Sequence, residues 1–174
     1  MRFLVAPMLL AGALAACSQE PPPPEPVETE VPEQFSAPVA VPRGGDNGVG
    51  TPLAERVATI GLLNKRNNIS QDIEIKPGES KRAGNVIIRL ASCERTAPWE
   101  NPPETGAFVQ VFVEQRQSAQ AELAWAKVFS GWLFKNNPSI NVVEHPIYDV
   151  WVKDCAMSFP DEEEPVADSE SSEE

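Results

Sequence analysis

The chain has 174 residues and a formal net charge of −12, set by 14 lysine and arginine residues against 26 aspartate and glutamate residues. Residues 54–160 carry 12 acidic and 12 basic side chains, so the excess negative charge lies in the two flanks. A balanced middle segment lacks the basic face that nucleic-acid binding requires, and the length leaves room for one domain with flanking segments.

Residues 1–16 have the pattern of a secretory signal. Met1 and Arg2 give a positive start, and residues 3–14 form an apolar segment. That segment is too short to span a bilayer as a helix, which needs about 20 apolar residues. The pattern therefore predicts export from the cytoplasm.

The end of this segment, Leu14-Ala15-Ala16-Cys17, resembles the lipobox of bacterial lipoproteins. The resemblance implies that Cys17 carries a lipid anchor and that the chain is cut just before it. A lipidated Cys17 would tether the protein in the cell envelope with its domain in the periplasm. Ser18 rather than aspartate follows the cysteine, a pattern that resembles outer-membrane sorting among such lipoproteins. The alternative is an ordinary signal peptide with a chance cysteine near its end.

Two flanking segments have compositions that oppose folding. Residues 17–53 hold nine prolines and interleaved glutamates, which predicts a disordered linker, or alternatively a proline-rich ligand for a partner. Residues 161–174 form an acidic tail, for which we expect disorder and a solubilising role rather than a cation site or a contact with a basic partner.

Residues 54–160 have the sequence pattern of an all-β domain. Alternation is strict over residues 72–76 and clearest over residues 108–114, and glycine, proline and asparagine separate the runs. Six or seven strands and no convincing amphipathic helix predict a small antiparallel β-sandwich or partly closed barrel. Residues 81–85 are interpreted as a turn.

Two cysteines remain if Cys17 carries lipid. Cys93 and Cys155 would then form a disulfide in an oxidising compartment. The bond would close a loop of about 62 residues, worth about 4 kcal/mol by chain entropy. A reactive or metal-binding pair is the alternative, but the C-x-x-C spacing typical of such sites is absent.

His145 is the single histidine of the chain. With Asp149 it forms the best acid–base pair that the sequence offers to a hydrolase. The competing interpretation is a structural histidine that bonds to backbone before Pro146. The sequence offers no assignable nucleophile, metal-ligand set or cofactor motif, so we predict no catalytic residue, metal or cofactor.

Aromatic side chains supply the remaining binding candidates. Trp132, Tyr148 and Trp151 would line a groove for a glycan or a peptide, although tryptophans on strands are more often part of the core. Trp99 lies in a proline-rich loop and is the best candidate for an exposed contact. We include His145 with this set.

Two segments carry a resemblance to a known family. Residues 129–134, FSGWLF, and residues 144–151, EHPIYDVW, followed by Cys155, resemble the signature of a proteobacterial family called domain of unknown function 2155. The resemblance covers residues 54–156 and includes Cys93. It implies an exported protein or lipoprotein and supports the pairing of the two cysteines, but it implies no activity.

These observations favour a non-enzymatic envelope lipoprotein. We expect a binding or scaffold module for an envelope protein or a cell-wall component. The alternatives are a hydrolase of envelope polymers that uses His145 and Asp149, and a glycan-binding module or an inhibitor of a wall-degrading enzyme.

Overall fold

The computed structural model describes residues 30–40, 50–160 and 162. The predicted signal, Cys17, most of the linker and all of the acidic tail except Glu162 lie outside the described residues. Neither of the two short 3₁₀ helices described, Glu33–Phe35 and Leu53–Glu55, is long enough to cross a membrane.

Seven strands form the domain. They are β1 (Val57–Asn64), β2 (Ile69–Ile75), β3 (Ser80–Ala83), β4 (Val86–Arg95), β5 (Thr105–Arg116), β6 (Leu123–Phe134) and β7 (Tyr148–Ala156).

The strands pair in two antiparallel sheets. One has the order β2-β1-β7 and the other β3-β4-β5-β6, and the two sheets do not close into a barrel. The all-β prediction is confirmed in its sandwich form. Both β6 and β7 are edge strands, and residues 135–147 connect them from one sheet to the other.

The prediction for the segment before β4 was wrong. Residues 81–85 were interpreted as a turn, but Ser80–Ala83 is β3 and only Gly84 and Asn85 turn the chain. Gly84 has a φ of 59°, which suits the first central position of a two-residue hairpin turn. Pairing with the apolar strand β4 compensates for the weak strand pattern of β3.

The core lies between the two sheets and is built from alternate residues. Ile60, Leu90, Val111 and Val152 are representative of its buried apolar side chains. Cys93 on β4 and Cys155 on β7 lie in the same cluster, with their Sγ atoms 2.01 Å apart. The cysteine pair therefore joins one sheet to the other within the core, near the C-terminal ends of β4 and β7.

Residues 30–40, which we call the strap, lie against the outer face of the four-stranded sheet. Phe35 is buried there, with its ring centroid 4.7 Å from that of Phe112 and 5.8 Å from that of Trp125. Ser80 Oγ donates to the Phe35 carbonyl at 2.9 Å, and Arg89 Nη2 donates to the Ala37 carbonyl at 2.7 Å. This part of the predicted disordered linker is thus ordered against the domain, which corrects the prediction.

Removal of the Phe35 ring should release the strap. We expect Phe35→Ala to weaken docking by about 2 kcal/mol, the value of burying one large apolar side chain. Amide exchange reads this out, because the Val39 N–H donates to the Gly78 carbonyl at 3.2 Å only while the strap is docked. Gln34→Ala, at an exposed strap position, is the control. Equal Val39 exchange in both variants would contradict the role given to Phe35.

Candidate functional site

The predicted binding residues are divided among three places. Trp99 is 62% exposed in its loop, as predicted, with its ring centroid 5.8 Å from that of Phe159 in a T-shaped arrangement. Trp132 lies on the outer face of the four-stranded sheet beside Phe108, with ring centroids 5.9 Å apart. The other three candidates lie at or near the beginning of β7, where His145 and Tyr148 stack on each other and Trp151 follows three residues later.

The expectation that Trp132 and Trp151 belong to the core was wrong. Their neighbours Leu133, Val150 and Val152 point into the core, so strand alternation directs both indoles to the outer faces. Trp151 pairs in register with Gly61 of β1, and a Cβ at Gly61 would overlap the Trp151 indole. Glycine at this position lets the ring lie close to the backbone of the neighbouring strand.

His145 is buried, and both of its ring nitrogens have hydrogen-bond partners. Its Nδ1 accepts hydrogen bonds from the backbone N–H groups of Ile147 and Tyr148, both at 3.2 Å. The neutral ring therefore carries its proton on Nε2, which lies 3.2 Å from Gln115 Oε1. The bonding to backbone that the sequence predicted is confirmed, and the Tyr148 ring stacks on the imidazole with centroids 5.4 Å apart.

The pairing of His145 with Asp149 that the hydrolase alternative requires is not formed. Asp149 Oδ1 instead accepts from Lys65 Nζ at 2.8 Å, and the same ammonium donates to the His145 carbonyl at 2.8 Å. A carboxylate held by a lysine does not orient an imidazole as a general base. Among the described residues, no group of three or more histidine, cysteine, aspartate or glutamate side chains is placed to hold a metal ion.

Burial and the nearby Lys65 charge lower the pKa of His145 from its ordinary value of 6.5. The unfolded chain then binds a proton below pH 6.5 that the folded domain does not bind. Stability should therefore fall as the pH decreases below 6.5, by at most about 1.4 kcal/mol per pH unit from this one group.

The histidine contribution can be isolated by substitution. His145→Asn keeps a side-chain acceptor for the two backbone amides but does not titrate. We expect its urea midpoint to change less than that of the unchanged protein between pH 7.5 and 5.5. Parallel pH dependences in the two proteins would show that His145 is not responsible.

A polar pocket of about 400 Å³, which we call the end pocket, opens beside this histidine at one end of the sandwich. It is formed where the β1–β2 and β3–β4 turns meet the end of β5. The lining includes Arg66, Asn85, Arg116, His145 and Tyr148. Apart from Val113 and Ile147, the side chains of its lining are hydrogen-bond donors or acceptors, and two of them are arginines, which suits a polar or charged ligand.

An apolar cavity of about 150 Å³, which we call the edge groove, lies on the other side of Asp149. Its lining includes all four consecutive residues of β7 from Asp149 to Val152. Because consecutive strand residues point to opposite faces, a cavity that contacts all of them runs along the free edge of the strand.

The opposite wall of the edge groove is the loop that follows β6. Asn141 Nδ2 donates to the Trp132 carbonyl at 3.0 Å, and Val143 is buried in the core. These two contacts fix the loop, yet Ile140 is 63% exposed and Val142 59% exposed. The loop thus presents two large apolar side chains to solvent beside an apolar cavity.

Residues 58–155 match the model of a family described as "Uncharacterized protein conserved in bacteria (DUF2155)". The matched segment covers more than half of the chain. The chain belongs to this family. The DUF2155 match runs from β1 to the end of β7 and includes both core cysteines, the end pocket arginines and the edge groove, whereas the strap lies outside it.

The DUF2155 chain is also similar to a protein of Rickettsia prowazekii (strain Madrid E) that is described as uncharacterized. The two are 31% identical over 93 residues, which is 53% of this chain and 56% of the relative. The similarity therefore spans little more than half of either protein. No solved structure matches the chain.

Sequence reasoning missed the residues that complete both sites. Arg66 and Arg116 are 50 positions apart and lie in polar stretches, so nothing in their local pattern connects them. Ile140 and Val142 lie between two polar turns, a context in which alternating apolar residues resemble a short buried segment. Their exposure follows only from the path of the β6–β7 connection.

Proposed function

We propose that this DUF2155 protein is a non-enzymatic binding module of the cell envelope, anchored through lipid on Cys17, that docks an envelope protein along the free edge of β7. The observation that carries the proposal is the edge groove with Ile140 and Val142 exposed beside it. Isolated apolar residues on a surface are ordinary, but a cluster at a cavity is typical of an interaction site.

The geometry suits an extended apolar segment of the partner. β7 pairs with β1 on one side, and among the described residues it has no strand on its other side. Because the loop after β6 forms the other wall of the groove, the partner segment would lie across the mouth of the groove and insert a side chain between the two walls. A cavity of about 150 Å³ accepts a benzene-sized group, so one phenylalanine or leucine side chain would fill it.

The hydrogen bonds of His145 weigh against the hydrolase alternative. Both ring nitrogens are engaged with Gln115 and with backbone amides, and Asp149 is paired with Lys65. His145→Asn separates the two functions, since it removes a titratable base while keeping the backbone bonds. We expect partner capture to survive this substitution.

Photo-crosslinking in living cells tests the proposal. A photoreactive amino acid at position 142 should give a discrete protein adduct, and the same residue at the exposed position 127 on β6 should not. Gly61→Ala should reduce the position 142 adduct, because the added methyl group displaces Trp151 from one wall of the groove. Adducts to cell-wall glycan would favour the glycan-binding alternative, and equal adducts at positions 127 and 142 would contradict the proposal.

A further inference from the structure

We propose that the end pocket is a binding site for a small oxyanion, a phosphate or carboxylate group held by Arg66 and Arg116. This site is separate from the edge groove and does not depend on the function proposed for that groove. The inference starts from how the arginines of the domain are used.

Six arginines lie in the described part of the chain, and four of them have side-chain partners. Arg56, Arg82 and Arg95 form ion pairs with glutamates, and Arg89 donates to Ser80 Oγ and to the Ala37 carbonyl. The guanidinium groups of Arg66 and Arg116 have no hydrogen bond or ion pair to any described residue. Both of these arginines line the end pocket.

The charge of the lining favours an anion. Its one carboxylate, Glu114, lies 3.9 Å from the guanidinium of Arg82, which is not part of the lining. The lining therefore contains two arginines and one carboxylate, and that carboxylate already has Arg82 as its partner. The chain as a whole has a net charge of −12. Both arginines are exposed, so an anion in solution can reach them.

The backbone around the pocket is fixed by hydrogen bonds. The Arg66 N–H donates to Asn64 Oδ1 at 3.0 Å, and the Lys65 N–H donates to the Ile147 carbonyl at 2.8 Å. On the other side, the Glu114 N–H donates to the Asn85 carbonyl at 2.9 Å. Only the two arginine side chains would need to become ordered when a ligand binds, which limits the entropic cost.

The chemistry of the guanidinium group defines the ligand class. Its planar set of N–H donors matches two oxygens of a carboxylate or a phosphate, and such charge-assisted hydrogen bonds are stronger than neutral ones. Tyr148, Asn85 and Gln115 add neutral polar groups to the lining for the remainder of the ligand. The shared chemistry is an oxyanion, supplied by a free phosphate, a lipid headgroup or an organic acid.

Nuclear magnetic resonance titration of the protein tests this inference. The probes are inorganic phosphate, acetate and dihexanoyl phosphatidylglycerol below its micelle concentration, each at an ionic strength held constant with chloride. We expect saturable shifts of the Arg66 and Arg116 Nε–H signals with at least one probe, and the probe that binds most tightly identifies the source of the oxyanion.

Matched charge variants distinguish a site from general attraction. Arg66→Gln and Arg116→Gln should each weaken binding by about 10-fold or more, as expected for loss of a charge-assisted hydrogen bond. Lys127→Gln removes the same charge from an exposed position on β6 and should have no effect. Absence of saturable shifts with all three probes, or equal weakening by Lys127→Gln, would overturn the inference.

Discussion

Replacement of Cys93 and Cys155 together by alanine is expected to lower the free energy of unfolding by about 4 kcal/mol. The bond joins residues separated by 62 positions, and it connects β4 of one sheet with β7 of the other. Without it, the unfolded chain gains the entropy of an open loop. Small domains are stable by only about 5–15 kcal/mol, so this loss is a large fraction of the total.

Urea denaturation of the oxidised protein and the double variant measures this effect. The slope of the unfolding free energy against urea should also increase, because an unfolded chain without the cross-link exposes more surface. The unsubstituted protein treated with a thiol reductant serves as the control, since it loses the disulfide bond but keeps both sulfur atoms. A loss below about 1 kcal/mol would contradict the chain-entropy argument.

Loss of the Glu94 carboxylate is expected to be nearly as damaging. Arg56 is 2% exposed, forms an ion pair with Glu94, and donates to the Cys93 carbonyl at 3.1 Å and the Thr51 carbonyl at 2.8 Å. Glu94→Gln would leave this buried guanidinium without its counter-ion. Removal of one partner of a buried pair costs about 3–5 kcal/mol, and partial exposure of Glu94 places this case near 3 kcal/mol.

A double-mutant cycle separates the ion pair from the other contacts of Arg56. Arg56→Met replaces the charge by an apolar side chain of similar length, so the Arg56→Met, Glu94→Gln double variant contains no buried charge. We expect the double variant to be more stable than Glu94→Gln alone in thermal or urea unfolding. A double variant that is less stable than either single variant would show that the carbonyl contacts of Arg56, and not the ion pair, dominate.

The strands that sequence reasoning identified best are those with one buried face. Residues 108–114 alternate clearly, and β5 contains them with Val109, Val111 and Val113 in the core. The short strand β3 was missed because Ser-Lys-Arg-Ala has no apolar alternation, and its pairing depends on β4. The local sequence pattern identifies a strand when one face of that strand is buried. It does not identify a strand such as β3, which forms because a neighbouring strand pairs with it.

The strap shows a different failure of local reasoning. Its proline and glutamate content correctly argues against a core of its own, but Phe35 and Val39 reach apolar partners on the outer face of the sheet. That face can be recognised as apolar only when Ile87, Phe112 and Trp125 are brought together by the strand register. Composition indicates whether a segment can form a core by itself. It does not indicate whether another element of the fold provides an apolar surface on which the segment can pack.

The candidate sites depend even more on three-dimensional placement. Tyr148 and Trp151 were selected from sequence as aromatic contacts. Tyr148 lines the end pocket, and Trp151 lines the edge groove. The arginines and the exposed loop residues that give each site its character were not selected, because their relevance arises from which turns meet at each end of the sandwich. Residue type suggested candidates, and topology decided which of them meet.

Intact-protein mass spectrometry of the protein isolated from the membrane fraction of its bacterium is the most direct test of an anchored envelope module. We predict a chain that begins at Cys17, carries the added mass of lipid there, and retains Cys93 and Cys155 in a bond. Cys17→Ser should remove the lipid mass. A membrane-fraction protein that begins at another residue, or that has no lipid mass at Cys17, would contradict the proposed anchoring.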